Sequence, residues 1–254
     1  MVRDVYAQEA RYRTKQNWLE DASGRITYFP PPVDDLRVLM KGWEAFVNDQ
    51  QKQIDPLVKT VCAAFGFVYL HPFFDGNGRL HRFVIHQLLA RSGLIPQDIV
   101  IPISAVIMKK IPDYLAVLTG FSKPTSALWE YVRTKADPYI KASPGINPYR
   151  YWDASQEVAF LHGIIKSAVE EEIPQEIRFL RGYDDAFHRI NAEFDVPRND
   201  ISKLIRMIHS HYFELSKRRR KPYSHLPNDV LQKIETIVRE SFAEKGDDET
   251  ADLR

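Results

Sequence analysis

Apolar residues along this 254-residue chain recur mostly at helical spacing. Leu36, Leu39, Met40, Trp43, Phe46 and Val47 fall three and four apart, which predicts one apolar face on a helix of about four turns. Pro30, Pro31 and Pro32 stand before it and end whatever precedes. Leu57 to Leu70 is apolar on nearly every side, so this helix is expected to be central and buried. Asp55 is placed to cap it, and Pro56 sits in the first turn, where a missing N–H has no consequence. A third helix is predicted from about Arg79 to Arg91 with Gly93 as its stop, and a fourth from Ser104 toward Leu118.

Two stretches break the helical rhythm. Asn17 to Leu19 and Ile26 to Phe29 flank a polar run ending in Gly24, which predicts a β-hairpin near residues 17–29. A second extended patch covers Trp129 to Arg133 and Tyr139 to Ile140. The Pro- and Gly-bearing segment Ser143 to Pro148 is the expected boundary between two regions. Beyond it helices are predicted over about 154–171, 175–194, 200–215 and 228–242. Ile177, Leu180, Phe187, Ile190 and Phe194 form the stripe of the second, and Ile201, Leu204, Ile205 and Ile208 that of the third. The expected fold class is therefore all-α: a hairpin-bearing domain over 1–142, a helical region over 149–243, and a disordered acidic tail over 244–254.

Charge narrows the partners. Thirty-five Lys plus Arg against 34 Asp plus Glu leave +1, so nothing global points to nucleic acid or an anionic membrane. The one dense basic run, Lys217 to Lys221, lacks interleaved aromatic residues and reads as a solvated helix end. The single cysteine, Cys62, excludes an intrachain disulfide and lies in an apolar run as an inert thiol. With no long apolar stretch and no signal peptide, the chain reads as soluble and cytoplasmic. His81 and His86 are five apart, off the spacing of a zinc helix, and surface or supporting positions are expected for both. Tyr149, Tyr151 and Trp152 read as packing residues.

The chemistry concentrates between the second and third helices, in His71-Pro72-Phe73-Phe74-Asp75-Gly76-Asn77-Gly78-Arg79-Leu80-His81-Arg82. Two glycines around an asparagine at the mouth of a helix leave backbone N–H groups unshielded, which makes an anion nest. Arg79 and Arg82, three apart, project from one face and suit a polyphosphate. Asp75 beside that nest would repel a phosphate unless a cation such as Mg²⁺ lies between them. His71 is the group whose ordinary pKa suits a general base near neutrality. Base, metal ligand, nest and two arginines together point to phosphate-transfer chemistry.

Residues 71–82 also match in full the motif His-x-Phe-x-Asp/Glu-Gly-Asn-Gly-Arg-x-x-Arg of the Fic family. Chance agreement at eight specified positions, anywhere in a chain this long, is on the order of 10⁻⁸ for independent residues. Arg13 to Trp18 and Ile26 to Pro32 resemble the family's segment leading through its flap hairpin, so the strong resemblance covers about 12–120. Tyr149 to Asp153 and Leu215 to Arg219 are similar to the C-terminal region of larger Fic proteins, whose last two-thirds the chain resembles.

The resemblance implies a mostly helical protein adenylyltransferase that moves AMP from ATP to a Ser, Thr or Tyr hydroxyl and releases pyrophosphate. Carried onto this chain, His71 is the base and Asp75 holds Mg²⁺. Gly76, Asn77 and Gly78 form the anion hole, with the Asn77 side chain on the α-phosphate, and Arg79 and Arg82 neutralise the outer phosphates. Ile26, Thr27, Tyr28 and Phe29 belong to the flap that docks the target as an added strand. The implied partner is a target protein with a modifiable hydroxyl, the chain itself being one such target and a second copy another partner; nucleic acid and membrane are not expected. Many members carry an inhibitory Ser/Thr-x-x-x-Glu-Gly/Asn helix. In the subgroup this flap resembles it lies upstream of where this chain begins, and Ser167 to Glu171, Ser210 to Glu214 and Thr236 to Glu240 all lack the following Gly or Asn. The expectation is a chain without self-inhibition. The alternative is a nucleotide-sensing or partner-binding regulatory module, against which an intact His71 argues; AMP removal would need the missing inhibitory glutamate.

Overall fold

The computed structural model describes residues 11–49, 54–94, 100–134 and 137–243, and the acidic tail expected over 244–254 lies outside them. The first hairpin forms where the polar run predicts it. Strand β1, Leu19–Glu20, pairs antiparallel with β2, Ile26–Tyr28, placing Leu19 opposite Tyr28. The Asp21 carboxylate closes the turn by accepting from the Ser23 and Arg25 N–H groups at 2.9 and 3.1 Å.

Helix α1, Val33–Asn48, starts directly after the prolines and buries Leu36, Leu39 and Met40. Helix α2, Pro56–Leu70, is capped by Asp55, which accepts from the Leu57 and Val58 N–H groups. Its burial on several sides follows from its composition: α1, α3 (Asn77–Ser92) and α7 (Ser155–Ser167) all pack on it. Phe65, with no exposed surface, contributes about 2–3 kcal/mol of burial by itself.

The expected fourth helix is two. Helix α4, Ile103–Lys109, and α5, Ile111–Ser126, meet at Lys110, because Pro112 has no N–H to offer the Met108 carbonyl. The second extended patch is a hairpin of β3, Glu130–Val132, and β4, Tyr139–Ala142. A short helix α6, Asn147–Arg150, and then α7 follow.

The chain divides into two compact units, one ending at Glu170 and one beginning at Glu171. Ser143 to Pro148, read as the boundary, lies inside the first unit. The reason is polar. The Tyr149 hydroxyl donates to the Phe29 carbonyl at 2.7 Å and receives the Trp129 Nε1–H at 2.8 Å, while Tyr69 donates to Glu157 on α7 at 2.6 Å. The division itself falls in a π-helical turn, Ala168–Glu172, just before Pro174, which cannot donate to a preceding carbonyl.

The second unit holds α8, Ile173–Glu193, α9, Arg198–His209, α10, Lys217–Arg220, a 3₁₀ turn Lys221–Tyr223, and α11, Asn228–Phe242. Its core gathers Ile190, Ile201, Leu204, Ile205, Leu231 and Ile234 among others. Ile177 and Leu180, counted in the α8 stripe, are exposed. Gly182 lets α8 and α11 approach: a Cβ there would fall 2.7 Å from the Phe242 ring. Helix α9 stops short of Leu215 because Tyr212 and Phe213 turn left-handed (φ 54° and 63°), with the Phe213 N–H returning to the Ile208 carbonyl. Part of the basic run is structural: Arg220 Nη2 donates to both Glu235 carboxylate oxygens at 2.8 Å while its Nε donates to the Leu215 carbonyl, and Arg219 reaches the Met207 carbonyl at the end of α9. Among the described residues no helix is long and apolar enough to cross a membrane.

Candidate active site

The loop between α2 and α3 is built by its neighbours. Helix α2 ends on His71, whose backbone is left-handed (φ 48°, ψ 57°) although it is not glycine. The imidazole Nδ1 lies 3.3 Å from the Val68 carbonyl. A carbonyl only accepts, so Nδ1 carries the proton in this contact and Nε2 keeps its lone pair. Burial, with the positive charge of Arg13 adding to it, pushes the His71 pKa down to about 4 against the pull of the Val68 carbonyl and Asp75. The ring is therefore neutral at pH 7 and able to accept a proton.

Asn77 closes the loop. It is buried, and its carboxamide donates to the Phe73 carbonyl at 2.6 Å while accepting from the Phe73 N–H at 3.1 Å. Both ends of the side chain are thus committed to loop shape, which composition alone could not reveal. Phe73 packs against Phe67 and Tyr12. Gly76 caps α3 with φ 86°, a left-handed value that favours glycine. Its carbonyl accepts from Arg79 and Leu80, both at 3.0 Å. At Asn77 and Gly78 the first amides of α3 have no helical acceptor, and among the described residues none other takes them. Unpaired amides at the start of a helix are the kind of donors an anion takes up.

Both arginines lie beside the two glycines. A Cβ on Gly76 would sit 3.7 Å from the Arg79 guanidinium, and one on Gly78 would sit 3.9 Å from that of Arg82. A Cβ at either glycine would only touch the guanidinium, so it is the left-handed backbone at Gly76 that favours glycine there. Asp75, half exposed, contacts Arg79 at 3.2 Å and accepts from the Gly76 N–H at 2.6 Å. No group of three or more His, Cys, Asp or Glu side chains gathers as a metal cage among the described residues. The hard carboxylate oxygens of Asp75 still suit Mg²⁺, which characteristically takes one or two carboxylates and completes its shell with phosphate and water oxygens.

The four flap residues divide. Ile26 is half-buried and Thr27 exposed on β2, whereas Tyr28 and Phe29 are buried. Tyr28 donates to the Tyr69 carbonyl at 2.5 Å, and Phe29 stacks on Trp129 with centroids 4.9 Å apart. The N–H and carbonyl of Phe29 are both taken, by Ser126 and Tyr149. These two residues anchor the hairpin, and the outer positions stay open to a neighbour. His81 is not on the surface: it has no exposed area, contacts the Ala64 carbonyl at 2.8 Å and meets Phe65 edge-on. His86 contacts Ser104 at 3.0 Å. Of the glutamates weighed as inhibitors, Glu240 pairs with Arg189 at 2.5 Å on the second unit.

Sequence reasoning passed over Arg13 as a site residue. It is 2% exposed and reaches the main chain of the His71 loop. An arginine in a segment otherwise rich in polar residues carries no signal of burial.

The sequence model of the Fic/DOC family matches residues 1–89, which include the whole His71 to Arg82 segment. A protein of Drosophila mojavensis named "Protein adenylyltransferase Fic" is 37% identical over 76 residues, 30% of this chain and 15% of that protein. One of the same name from Aedes aegypti is 37% identical over 70 residues, 27% and 14% of the two chains. The matched stretch thus spans about 15% of the length of these relatives. A solved Fic family protein from Desulfovibrio desulfuricans shares 21% identity over 94% of this chain and 55% of its own, with a TM-score of 0.49.

Proposed function

We propose, for a chain that belongs to the Fic family, that it is a protein adenylyltransferase, moving AMP from ATP to a hydroxyl of a target protein and releasing pyrophosphate. One arrangement supports this reading: His71, a neutral imidazole at the end of α2, stands at the head of the loop whose unpaired Asn77 and Gly78 amides open α3, with the Arg79 and Arg82 guanidiniums beside its two glycines. A site that only sensed a nucleotide would need the nest and the arginines but no base. The relatives named as adenylyltransferases accord with it.

In this reading His71 Nε2 takes the proton of the target hydroxyl as that oxygen bonds to the α-phosphorus. The bond between the α-phosphorus and the bridging oxygen breaks, and the electron pair leaves with pyrophosphate. The Asn77 and Gly78 amides take up charge on the non-bridging oxygens, while the Asn77 carboxamide keeps those amides in place. Arg79 and Arg82 hold the departing pyrophosphate, Arg79 exchanging Asp75 for phosphate oxygens. Mg²⁺ on Asp75 would neutralise part of the phosphate charge when bound. An extended target segment would pair with the hairpin beside Ile26 and Thr27, aligned by main-chain bonds.

The test is incubation of the chain with Mg²⁺ and ATP, followed by intact-mass spectrometry for an added AMP. His71→Ala is expected to lower the rate by about 10²–10⁴-fold while ATP still binds. An equal adduct on both proteins would remove His71 from the chemistry. ATP binding without any adduct, even with candidate target proteins added, would favour the sensor.

A further inference from the structure

Arg13 lies 58 residues before His71, yet it completes the end of α2. Beyond Leu70 the chain leaves the helix, and its carbonyls need partners from elsewhere. Here the two that follow α2 are both taken by this one residue. The Arg13 N–H donates to the Pro72 carbonyl at 2.8 Å, and its Nε donates to the His71 carbonyl at 3.2 Å. The other two nitrogens bind elsewhere: Nη2 to the Pro31 carbonyl at 2.5 Å, before α1, and Nη1 to the Lys15 carbonyl at 3.3 Å. Three chain segments therefore meet on one guanidinium that is almost wholly buried.

A buried cation with no carboxylate partner among the described residues calls for an explanation. Burial draws the Arg13 pKa down to about 10, so it stays charged at neutral pH. A lysine could not replace it, since its ammonium has no planar fork to span separate carbonyls. A positive charge at the C-terminal end of α2 is also favoured by the helix dipole.

We infer that Arg13 is a positioning residue for the His71 base, clamping through the main chain the left-handed end of α2 on which that base stands. This rests on the proposed adenylyl transfer. His71 occupies a backbone region that a non-glycine residue enters at some strain, and such a conformation persists only where its surroundings hold it. The carbonyls of His71 and Pro72 are the handles, and Arg13 holds both. Its charge acts on the ring as well. Arg13 and Asp75 are the charged groups bearing on the imidazole, one disfavouring its protonation and the other favouring it.

Three measurements on the full chain test this: an NMR titration of the His71 imidazole, ATP affinity with Mg²⁺, and the rate of AMP transfer. Arg13→Met keeps length and apolar packing but removes donors and charge. The His71 midpoint is expected to rise by about one pH unit. The transfer rate at saturating ATP should fall by about tenfold or more, with ATP affinity within about twofold. Arg13→Lys should restore the midpoint but only part of the rate. A folded Arg13→Met with midpoint and rate unmoved overturns the inference. So does a loss of ATP affinity as large as the loss of rate, which would make Arg13 part of the nucleotide site. If Arg13→Met does not fold, Arg13→Lys decides, and an unchanged rate there overturns the clamp. If the wild-type chain transfers no AMP, the functional reading fails by itself, while the His71 titration still tests the clamp.

Discussion

The two units bury polar groups in opposite ways. In the first, Arg13, Asn17, Thr60, Asn77, His81, Thr125, Glu157 and Ser167 are all buried, and tyrosine hydroxyls bridge separate segments. In the second, Glu235 is the one buried charged side chain among the described residues, set in an otherwise apolar core of aliphatic and aromatic side chains. The second unit is held by stripes of Ile and Leu whose spacing is visible in the chain. The first holds a loop in a strained, specific shape, and specific shape comes from directional bonds. The candidate chemistry sits where the polar groups are buried.

Acid should expose this contrast most strongly. His71 and His81 are both held down to about 4, by burial first, whereas the unfolded chain protonates them near 6.5. Between these values the unfolded state binds more protons, so stability is lost as pH falls. At pH 4.5 each accounts for about 2–3 kcal/mol. Region-resolved hydrogen exchange at pH 7 and 4.5 should show α2 and α3 losing protection before α9 and α11. Uniform loss would break the comparison.

Glu235→Ala tests the exception within the second unit. It removes the acceptor of both Arg220 contacts and of the Leu215 N–H at 2.6 Å, leaving a partly buried guanidinium unpaired. A loss of about 3 kcal/mol in urea unfolding is expected. A loss below about 1 kcal/mol would mean that the apolar core needs no polar pin.

Gly182→Ala sharpens the view of that core as close-packed. The added carbon meets the Phe242 ring at 2.7 Å, so the ring or α8 must shift, at about 1–3 kcal/mol. An unchanged midpoint in thermal unfolding would show the helix pair to be loosely packed.

The smallest effect is expected at the first unit's surface. Arg133 pairs with Glu20 at 2.5 Å, but both groups are solvent-exposed. Arg133→Ala should leave the thermal midpoint within error, because water screens such pairs. A clear drop would place the directional bonding of the first unit on its surface as well as inside.

Legibility differed with the kind of signal. The cap at Asp55, the stop at Gly93, the first hairpin, the extended character of the second patch and the α9 stripe were readable, because each depends on neighbours within a few residues. The split of the fourth helix was readable in principle from Pro112. The exposure of Ile177 and Leu180 was not, since periodicity marks a face without saying how far along the helix that face is covered. At the site, the loop lies between α2 and α3, where the periodicity and the glycines put it. The pair of hydrogen bonds between the Asn77 side chain and the Phe73 main chain and the anchoring by Tyr28 and Phe29 emerged only from the fold.

By itself the sequence determined the helical class, the loop between α2 and α3 and the residue types that give this loop its chemistry. These follow from local periodicity, caps and a contiguous motif, all short-range in the chain. Tertiary structure alone decided that His71 is neutral, that His81 is core, and that Arg13 closes the end of α2. Burial and charge proximity belong to the folded space around a residue, and contacts 58 residues apart leave no mark in the local pattern.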